Sequence, residues 1–147
     1  LPSFNWFSPC LTARDIVYIG LRDVDDYEKR MIQQLNIKAY TMHEVDKYGI
    51  GHIMTETINY LEDRNLHLSF DIDAVDPFFA PHTGTAVRGG LTFREANYIC
   101  EALAETGCLT SMELVEVNPM IHTHQSESLT LDMAVKLIGS AMGQRIL

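Results

Sequence analysis

The sequence has few cysteines, few basic residues and no long apolar run, and each shortage argues against a class of protein. The 3 cysteines are an odd number without a CxxC spacing, which argues against a disulfide framework or a zinc knuckle and favours a reducing compartment. The 11 Lys and Arg face 20 Asp and Glu, and the net charge of −9 argues against nucleic acids and anionic membranes as partners. No segment approaches the roughly 18 apolar residues of a membrane-spanning helix. We therefore expect a cytoplasmic location and leave a mitochondrial isoform open.

The chain has the length and composition of one folded domain, with 147 residues, 46% of them hydrophobic and 21% charged. Apolar runs of strand length alternate with segments of helical period. This alternation predicts an α/β fold in which a parallel sheet carries helices on both faces. The predicted strands cover residues 16–21, 37–42, 66–72 and 109–117, and the predicted helices cover 26–35, 44–61, 92–106 and a last segment ending near 143.

Local residue types predict where the helices begin and break. Thr92 is a suitable N-cap, and Glu95 three residues later completes a capping box for the third helix. Glycine is costly inside a helix, so the Gly-Ile-Gly string at 49–51 predicts a break in the second helix. Ser126 or Ser128 is expected to cap the last helix.

The chemically informative feature is a run of acids at the end of the third predicted strand. Asp71 and Asp73 are two residues apart, so on a strand they point to the same face and converge at its carboxyl end, where α/β sheets bind ligands. Two anions held close together repel each other unless a cation neutralises them, and oxygen ligands favour Mg, Ca or Mn. In the alternative interpretation, one Asp caps the following turn and the other pairs with Arg or Lys. The long loop that follows, residues 76–90, is expected to be functional.

Several strings together resemble the arginase branch of the ureohydrolases. They are IVYIGLRDVD at 16–25, SFDIDAVDP at 69–77, PHTGT at 81–85, GGLTFRE at 89–95 and VEVNP at 115–119. Their order matches the family, and they span nearly the whole chain. The resemblance implies that residues 1–147 form a single partial domain, the C-terminal half of the arginase-type α/β/α fold.

The resemblance also implies a chemistry. Asp71 and Asp73 match ligands of a binuclear Mn²⁺ centre, which holds two ions in the complete site. The family hydrolyses L-arginine to L-ornithine and urea with a hydroxide that bridges the metals, and metal ions lower the pKa of bound water. Glu116 matches the acid that binds the substrate guanidinium, and a surface acid at a strand end is the alternative. Thr85 matches a loop residue near the guanidinium.

Two further pairs are assigned by the same resemblance. Asp25 and Glu28 match positions that bind the substrate's α-amino end, which favours arginine over agmatine. An acidic first turn is also common at helix starts because of the helix dipole. Arg94 and Glu95 match a segment used for trimer contacts, so a homotrimer is expected of the complete protein; ordinary helix-start chemistry is the alternative.

Two strings of the family, Gly-Gly-Asp-His and Asp-Ala-His-x-Asp, do not occur in the sequence. They carry the other metal ligands, and the proton-shuttle histidine belongs to the same N-terminal half. We therefore expect this chain to be a part of an arginase that is inactive by itself. His122 and His124 lie beyond the matched strings and are not expected to bind metal, and His82 is interpreted as a solvent-facing substitution.

Three other functions compete with this interpretation. An agmatinase-like ureohydrolase is the nearest alternative. A phosphotransferase of the haloacid-dehalogenase type also begins with a hydrophobic strand and Asp-x-Asp, but it needs a later lysine, and Lys136 in the last predicted helix is the only one after Asp73. A non-catalytic, oligomerising module would keep the half-sheet without the chemistry.

Overall fold

In the part of the chain that the structure describes, four strands and five α-helices form where the spacing of apolar residues changes between that of a strand and that of a helix. The computed structural model describes residues 5–62, 64–121 and 127–145, without the side chains of 127 and 128. In chain order the elements are β1 (Val17–Leu21), α1 (Asp26–Gln34), β2 (Lys38–Thr41), α2 (Met42–Tyr48), α3 (Ile50–Leu61), β3 (Leu66–Asp71), α4 (Phe93–Glu105), β4 (Leu109–Val115) and α5 (Glu127–Ala141).

The strands pair in parallel, as the alternation of strands and helices predicted. In one pair β1 lies beside β2, with Val17 opposite Lys38. In the other pair β3 lies beside β4, with Asp71 opposite Val115. The α/β class is therefore confirmed, with one difference: the described strands form two two-stranded sheets, and β1 does not pair with β3.

The predicted helix boundaries are confirmed at two places. Gly49 has a φ of 80°, a conformation that favours glycine, and it separates α2 from α3. At the start of α4, the Glu95 amide donates to Thr92 Oγ1 (3.3 Å) while the Thr92 amide donates to Glu95 Oε2 (2.7 Å). This capping box satisfies amides that have no partner within the helix. The predicted cap at Ser126 or Ser128 lies outside the described side chains, as do His122 and His124.

Helix α4 lies between two apolar clusters that form the core. Its residues Ala96 and Cys100 pack against Phe70 and the α5 residues Met133 and Leu137. Its other buried residues join the second cluster, which contains Ile53, Met54, Leu66, Leu91, Ile99 and Leu103. Cys100 is fully buried in this core, and its burial raises the pKa of the thiol to about 12, with the Glu101 charge as a smaller cause. No helix in the described ranges is long and apolar enough to cross a membrane.

Candidate metal and substrate site

Asp71 and Asp73 lie together, although not as two residues of one strand. Asp71 is the last residue of β3, and Asp73 belongs to a short 3-10 turn, Ile72–Ala74. Asp71 Oδ1 accepts a hydrogen bond from the Asp73 amide (3.0 Å), so Asp71 caps that turn. The expected strand geometry is therefore wrong for Asp73. The two acids lie together because the chain turns directly after Asp71, which is both the last residue of β3 and the N-cap of the turn that contains Asp73.

Electrostatics at this turn favour a cation. Partial burial raises the pKa of the Asp73 carboxyl, and the charge of Asp71, a hydrogen bond with Asp71 and the charge of Glu116 raise it further. The nearby Arg22 guanidinium acts in the opposite direction. Ionised Asp73 is thus repelled by the charges of both Asp71 and Glu116, and a divalent cation would relieve that repulsion.

The described residues supply only part of a metal site. No group of three or more His, Cys, Asp and Glu that could hold a metal ion occurs among them. Two carboxylates are suitable oxygen ligands for Mn²⁺, but hard divalent cations need about six ligands. The pair Asp71 and Asp73 therefore fits a partial coordination sphere and does not complete one.

Glu116 has an unusual backbone conformation directly after β4. Its φ of 66° lies in the left-handed region that non-glycine residues seldom adopt. Such a conformation costs about 1–2 kcal/mol in an L-residue and is concentrated at functional sites. The carboxylate is exposed, and its Oε2 atom lies 3.9 Å from where a Cβ on Gly84 would be. Glu116 therefore faces the loop 76–90 as well as the Asp73 neighbourhood.

Arg22 is a residue of this region that the sequence interpretation missed. It follows β1, and its guanidinium donates to three main-chain carbonyls: Asp73 O (2.5 Å), Ala74 O (3.3 Å) and Val87 O (2.7 and 3.1 Å). These bonds tie the end of β1 to the acidic turn and to the loop. The signal available in the sequence was a charged residue placed directly after a buried strand, within one of the strings that carry the resemblance.

Asp76, the third acid of the run, holds the loop in shape. Its Oδ1 accepts from the Phe78 amide (2.9 Å), and its Oδ2 accepts from the amides of Gly89 (2.7 Å) and Gly90 (3.3 Å). The hydrogen bond from Phe78, those from the two glycines and the charge of Arg22 hold the pKa of Asp76 below its usual value. Asp76 therefore joins the two ends of the loop.

His82 is buried rather than solvent-facing, so that interpretation is wrong. Only 1% of its surface is exposed. Its amide donates to Thr130 Oγ1 on α5 (3.1 Å), and its carbonyl accepts from the Asn118 amide (3.0 Å). His82 thus fixes the middle of the loop between α5 and the segment after β4.

The remaining predicted site residues lie at helix starts or on the loop. Asp25 is the N-cap of α1: its Oδ1 accepts from the Tyr27 and Glu28 amides (2.8 and 2.9 Å), and Glu28 Oε2 accepts from the Asp25 amide (3.0 Å). Both acids are exposed. Thr85 is exposed on the loop and shares a groove with Asp71 and Asp73.

Arg94 and Glu95 lie in the first turn of α4. Arg94 is exposed there, whereas Glu95 is engaged in the capping box. The helix-start chemistry that was the alternative for Asp25, Glu28 and Glu95 is therefore present. Their additional roles in substrate binding or oligomer contacts stay predictions.

The fold is a parallel α/β fold with a group of acids at the carboxyl ends of β3 and β4. A family model described as the Arginase family matches residues 2–143. The chain is 48% identical to the arginase of Glaciozyma antarctica, and the match covers 100% of this chain and 44% of that protein. The chain therefore belongs to the arginase family, and it spans about half the length of the curated relatives it matches.

Solved structures agree with this assignment. An arginase from Bacillus caldovelox matches 100% of the chain with a TM-score of 0.92 and 44% identity, and the match covers 49% of that protein. An Entamoeba histolytica arginase in complex with L-ornithine matches 91% of the chain with a TM-score of 0.84 and 32% identity, and the match covers 45% of that protein. The parallel α/β fold of this chain is therefore that of part of an arginase.

Proposed function

We propose that this chain is the part of an arginase-type ureohydrolase that supplies Asp71 and Asp73 to a binuclear Mn²⁺ centre. The observation that carries the proposal is the group of acids at the ends of β3 and β4, in which Asp71 and Glu116 both raise the pKa of Asp73. Oxygen-rich sites favour hard divalent ions, and a cation would stabilise the ionised acids. When bound, such ions lower the pKa of water, so that hydroxide is available near neutral pH.

The substrate in this proposal is L-arginine, and the products are L-ornithine and urea. The exposed carboxylate of Glu116 binds the planar guanidinium through charge-assisted hydrogen bonds, and Thr85 contributes from the neighbouring loop. Asp25 and Glu28, which are both exposed at the start of α1, bind the α-amino group. The L-ornithine bound to the Entamoeba arginase supports an amino acid ligand for this fold.

Catalysis in this proposal requires more polypeptide than these 147 residues. Two carboxylates provide too few ligands for tight Mn²⁺ binding, so this chain alone is expected not to hydrolyse arginine. The complete protein is expected to be a cytoplasmic homotrimer, in which the first turn of α4, with Arg94 and Glu95, makes contacts between subunits.

Direct Mn²⁺ binding tests the metal assignment. Electron paramagnetic resonance titration of the chain should show weak Mn²⁺ binding that is reduced at least tenfold by Asp71→Asn and by Asp73→Asn. Asp46→Asn removes an exposed acid on α2 and is the matched control, because it changes the net charge equally. Equal affinities for all four proteins would contradict the assignment.

An activity assay tests the substrate assignment. The chain should be co-expressed with the portion of the Glaciozyma antarctica arginase that it does not match, loaded with Mn²⁺ and given arginine or agmatine. We expect ornithine and urea from arginine, less product from agmatine, and a large loss of activity in Glu116→Gln. Sustained ornithine production by the chain alone would show that the site is complete without further ligands. A preference for agmatine would favour the agmatinase alternative.

A further inference from the structure

The segment after β4 runs beside the middle of the loop 76–90 in the opposite direction. The Asn118 amide donates to the His82 carbonyl (3.0 Å), and Glu116 Oε2 lies 3.9 Å from where a Cβ on Gly84 would be. Residue numbers rise on one segment as they fall on the other, which is how residues face each other in antiparallel segments. The bond between Asn118 and His82 therefore fixes the main chain two residues from Glu116.

The direction of the Glu116 carboxylate depends on this main chain. The side chain is exposed, so packing does little to fix it. Its φ of 66° is one that L-residues seldom adopt, and such a conformation persists only where the surrounding structure imposes it. The bond from Asn118 to His82 ties this stretch of main chain to another part of the molecule. His82 is therefore an outside support for the main chain that carries Glu116.

His82 is itself fixed by Thr130, in the first turn of α5. Thr130 Oγ1 accepts from the His82 amide (3.1 Å) and lies 3.4 Å from Nδ1 of the same residue. One hydroxyl serves both contacts, because it has acceptor lone pairs and a proton to donate. Thr130 is 0% exposed and His82 is 1% exposed, so water cannot replace a lost bond without rearrangement. Thr130 therefore anchors the middle of the loop to α5.

Helix α5 is a firm support because its inner face is buried. Met133 and Leu137, about one and two turns after Thr130, are 4% and 0% exposed. They pack in the same apolar cluster as Phe70, the residue before Asp71 on β3. Closely packed interiors change shape little. The anchor of the loop and the strand that carries Asp71 thus share one core.

We propose that Thr130 is a positioning residue for Glu116 and that it acts through the main chain of His82. The proposal rests on the function proposed above, in which the Glu116 carboxylate binds the substrate guanidinium. Thr130 does not touch the substrate. Its hydroxyl holds His82, His82 holds Asn118, and Asn118 sets the place of the Glu116 carboxylate relative to the acids after β3.

Removal of this hydroxyl should weaken arginine binding and leave the chemical step nearly intact. A contact made with the substrate before the reaction as well as during it affects KM more than kcat. In the Mn²⁺-loaded complex with the unmatched portion of the Glaciozyma antarctica arginase, we expect Thr130→Val to raise the KM for arginine roughly tenfold, because small displacements of binding groups are costly. The kcat should stay within about twofold. Thr130→Ser keeps the hydroxyl and should keep the original KM.

Ser140→Ala is the matched control. Ser140 is 8% exposed on α5, and its hydroxyl donates to Asn97 Oδ1 on α4 (2.8 Å). This variant also removes one buried hydroxyl and one hydrogen bond of α5, at the end of the helix opposite to Thr130. We expect it to lower stability about as much as Thr130→Val does and to leave KM unchanged. A KM raised equally by both variants would mean that α5 loosens generally, and it would overturn the proposal.

Hydrogen exchange at single amides tests the positioning without metal or substrate. In the chain alone, Thr130→Val should speed exchange of the Asn118 amide roughly tenfold, whereas Ser140→Ala should leave it unchanged. Unchanged exchange at Asn118 in Thr130→Val would overturn the proposal. If Thr130→Val does not fold, Thr130→Ala is compared with Thr130→Ser in its place.

Glu116→Gln separates this inference from the proposed function. An unchanged KM for arginine in Glu116→Gln would contradict the role of Glu116 in binding the guanidinium, and the inference with it. A raised KM in Glu116→Gln beside an unchanged KM in Thr130→Val would leave the role of Glu116 intact and overturn only the positioning role of Thr130.

Discussion

Gly90 is the position at which a single methyl group should disturb the candidate site most. A Cβ at Gly90 would lie 2.6 Å from Asp76 N, 2.7 Å from Ala74 O and 2.7 Å from Val75 C. Favourable contacts of carbon atoms are about 3.5–4.0 Å, so the backbone must move by about 1 Å. All three atoms are main chain, and no change of rotamer relieves the clash.

The cost follows from the hydrogen bonds that such a movement breaks. The Leu91 amide donates to Ala74 O (2.9 Å), and the Asp76 amide donates to Leu91 O (2.9 Å). Each bond contributes about 1 kcal/mol, and overpacking adds about 1–3 kcal/mol. We therefore expect Gly90→Ala to lower the free energy of unfolding by about 3–5 kcal/mol.

Gly51→Ala is the matched control for Gly90→Ala. A Cβ at Gly51 would lie 3.7 Å from the Tyr98 hydroxyl, an ordinary contact, and Gly51 lies in the first turn of α3. Alanine is favoured over glycine in helices, so this variant should be more stable by about 0.5 kcal/mol. Urea unfolding monitored by circular dichroism measures both changes. A Gly90→Ala protein within about 0.5 kcal/mol of the unmodified chain would refute the reasoning.

Three further predictions concern the same region. Arg22→Gln should lower the free energy of unfolding by about 2 kcal/mol, because its charged hydrogen bonds to three carbonyls are lost. Arg64→Gln removes an exposed ion pair and should lower the free energy of unfolding by less than about 1 kcal/mol in the same urea assay. Asp76→Asn should lower the free energy of unfolding by about 1 kcal/mol at neutral pH. The pKa of Asp76 is lowered in the folded state, so this difference in stability should shrink as the pH falls through and below about 4. A difference that does not change with pH in urea titrations would contradict this prediction. Glu116→Gly should be about 1 kcal/mol more stable than Glu116→Ala, since glycine adopts a φ of 66° without strain, and equal unfolding midpoints would argue against strain at this residue.

Much of the fold could be predicted from local sequence because its causes are local. The break at Gly49 follows from glycine chemistry, and the start of α4 follows from the spacing of Thr92 and Glu95. The order of strands and helices follows from periodicity, since burial imposes one spacing on strands and another on helices. The run of acids after β3 identified the candidate site, because carboxylates seldom follow a buried strand without a partner.

Other features of the site depend on residues distant in the chain and were not predictable from spacing. Arg22 binds carbonyls more than 50 positions away, and the backbone of the buried residue His82 bonds to Thr130 and Asn118. The positive φ of Glu116 is likewise imposed by its surroundings, because the residue itself prefers another conformation.

The sequence by itself determined the elements, their parallel α/β class and the acids that close β3, because each depends on neighbours within a few positions. Only the tertiary structure decided that the described strands separate into two pairs and that a turn rather than a strand joins Asp71 to Asp73. The pairing of distant strands depends on which strand edges meet. Because an edge presents backbone groups rather than side chains, composition and residue spacing contain little information about the pairing.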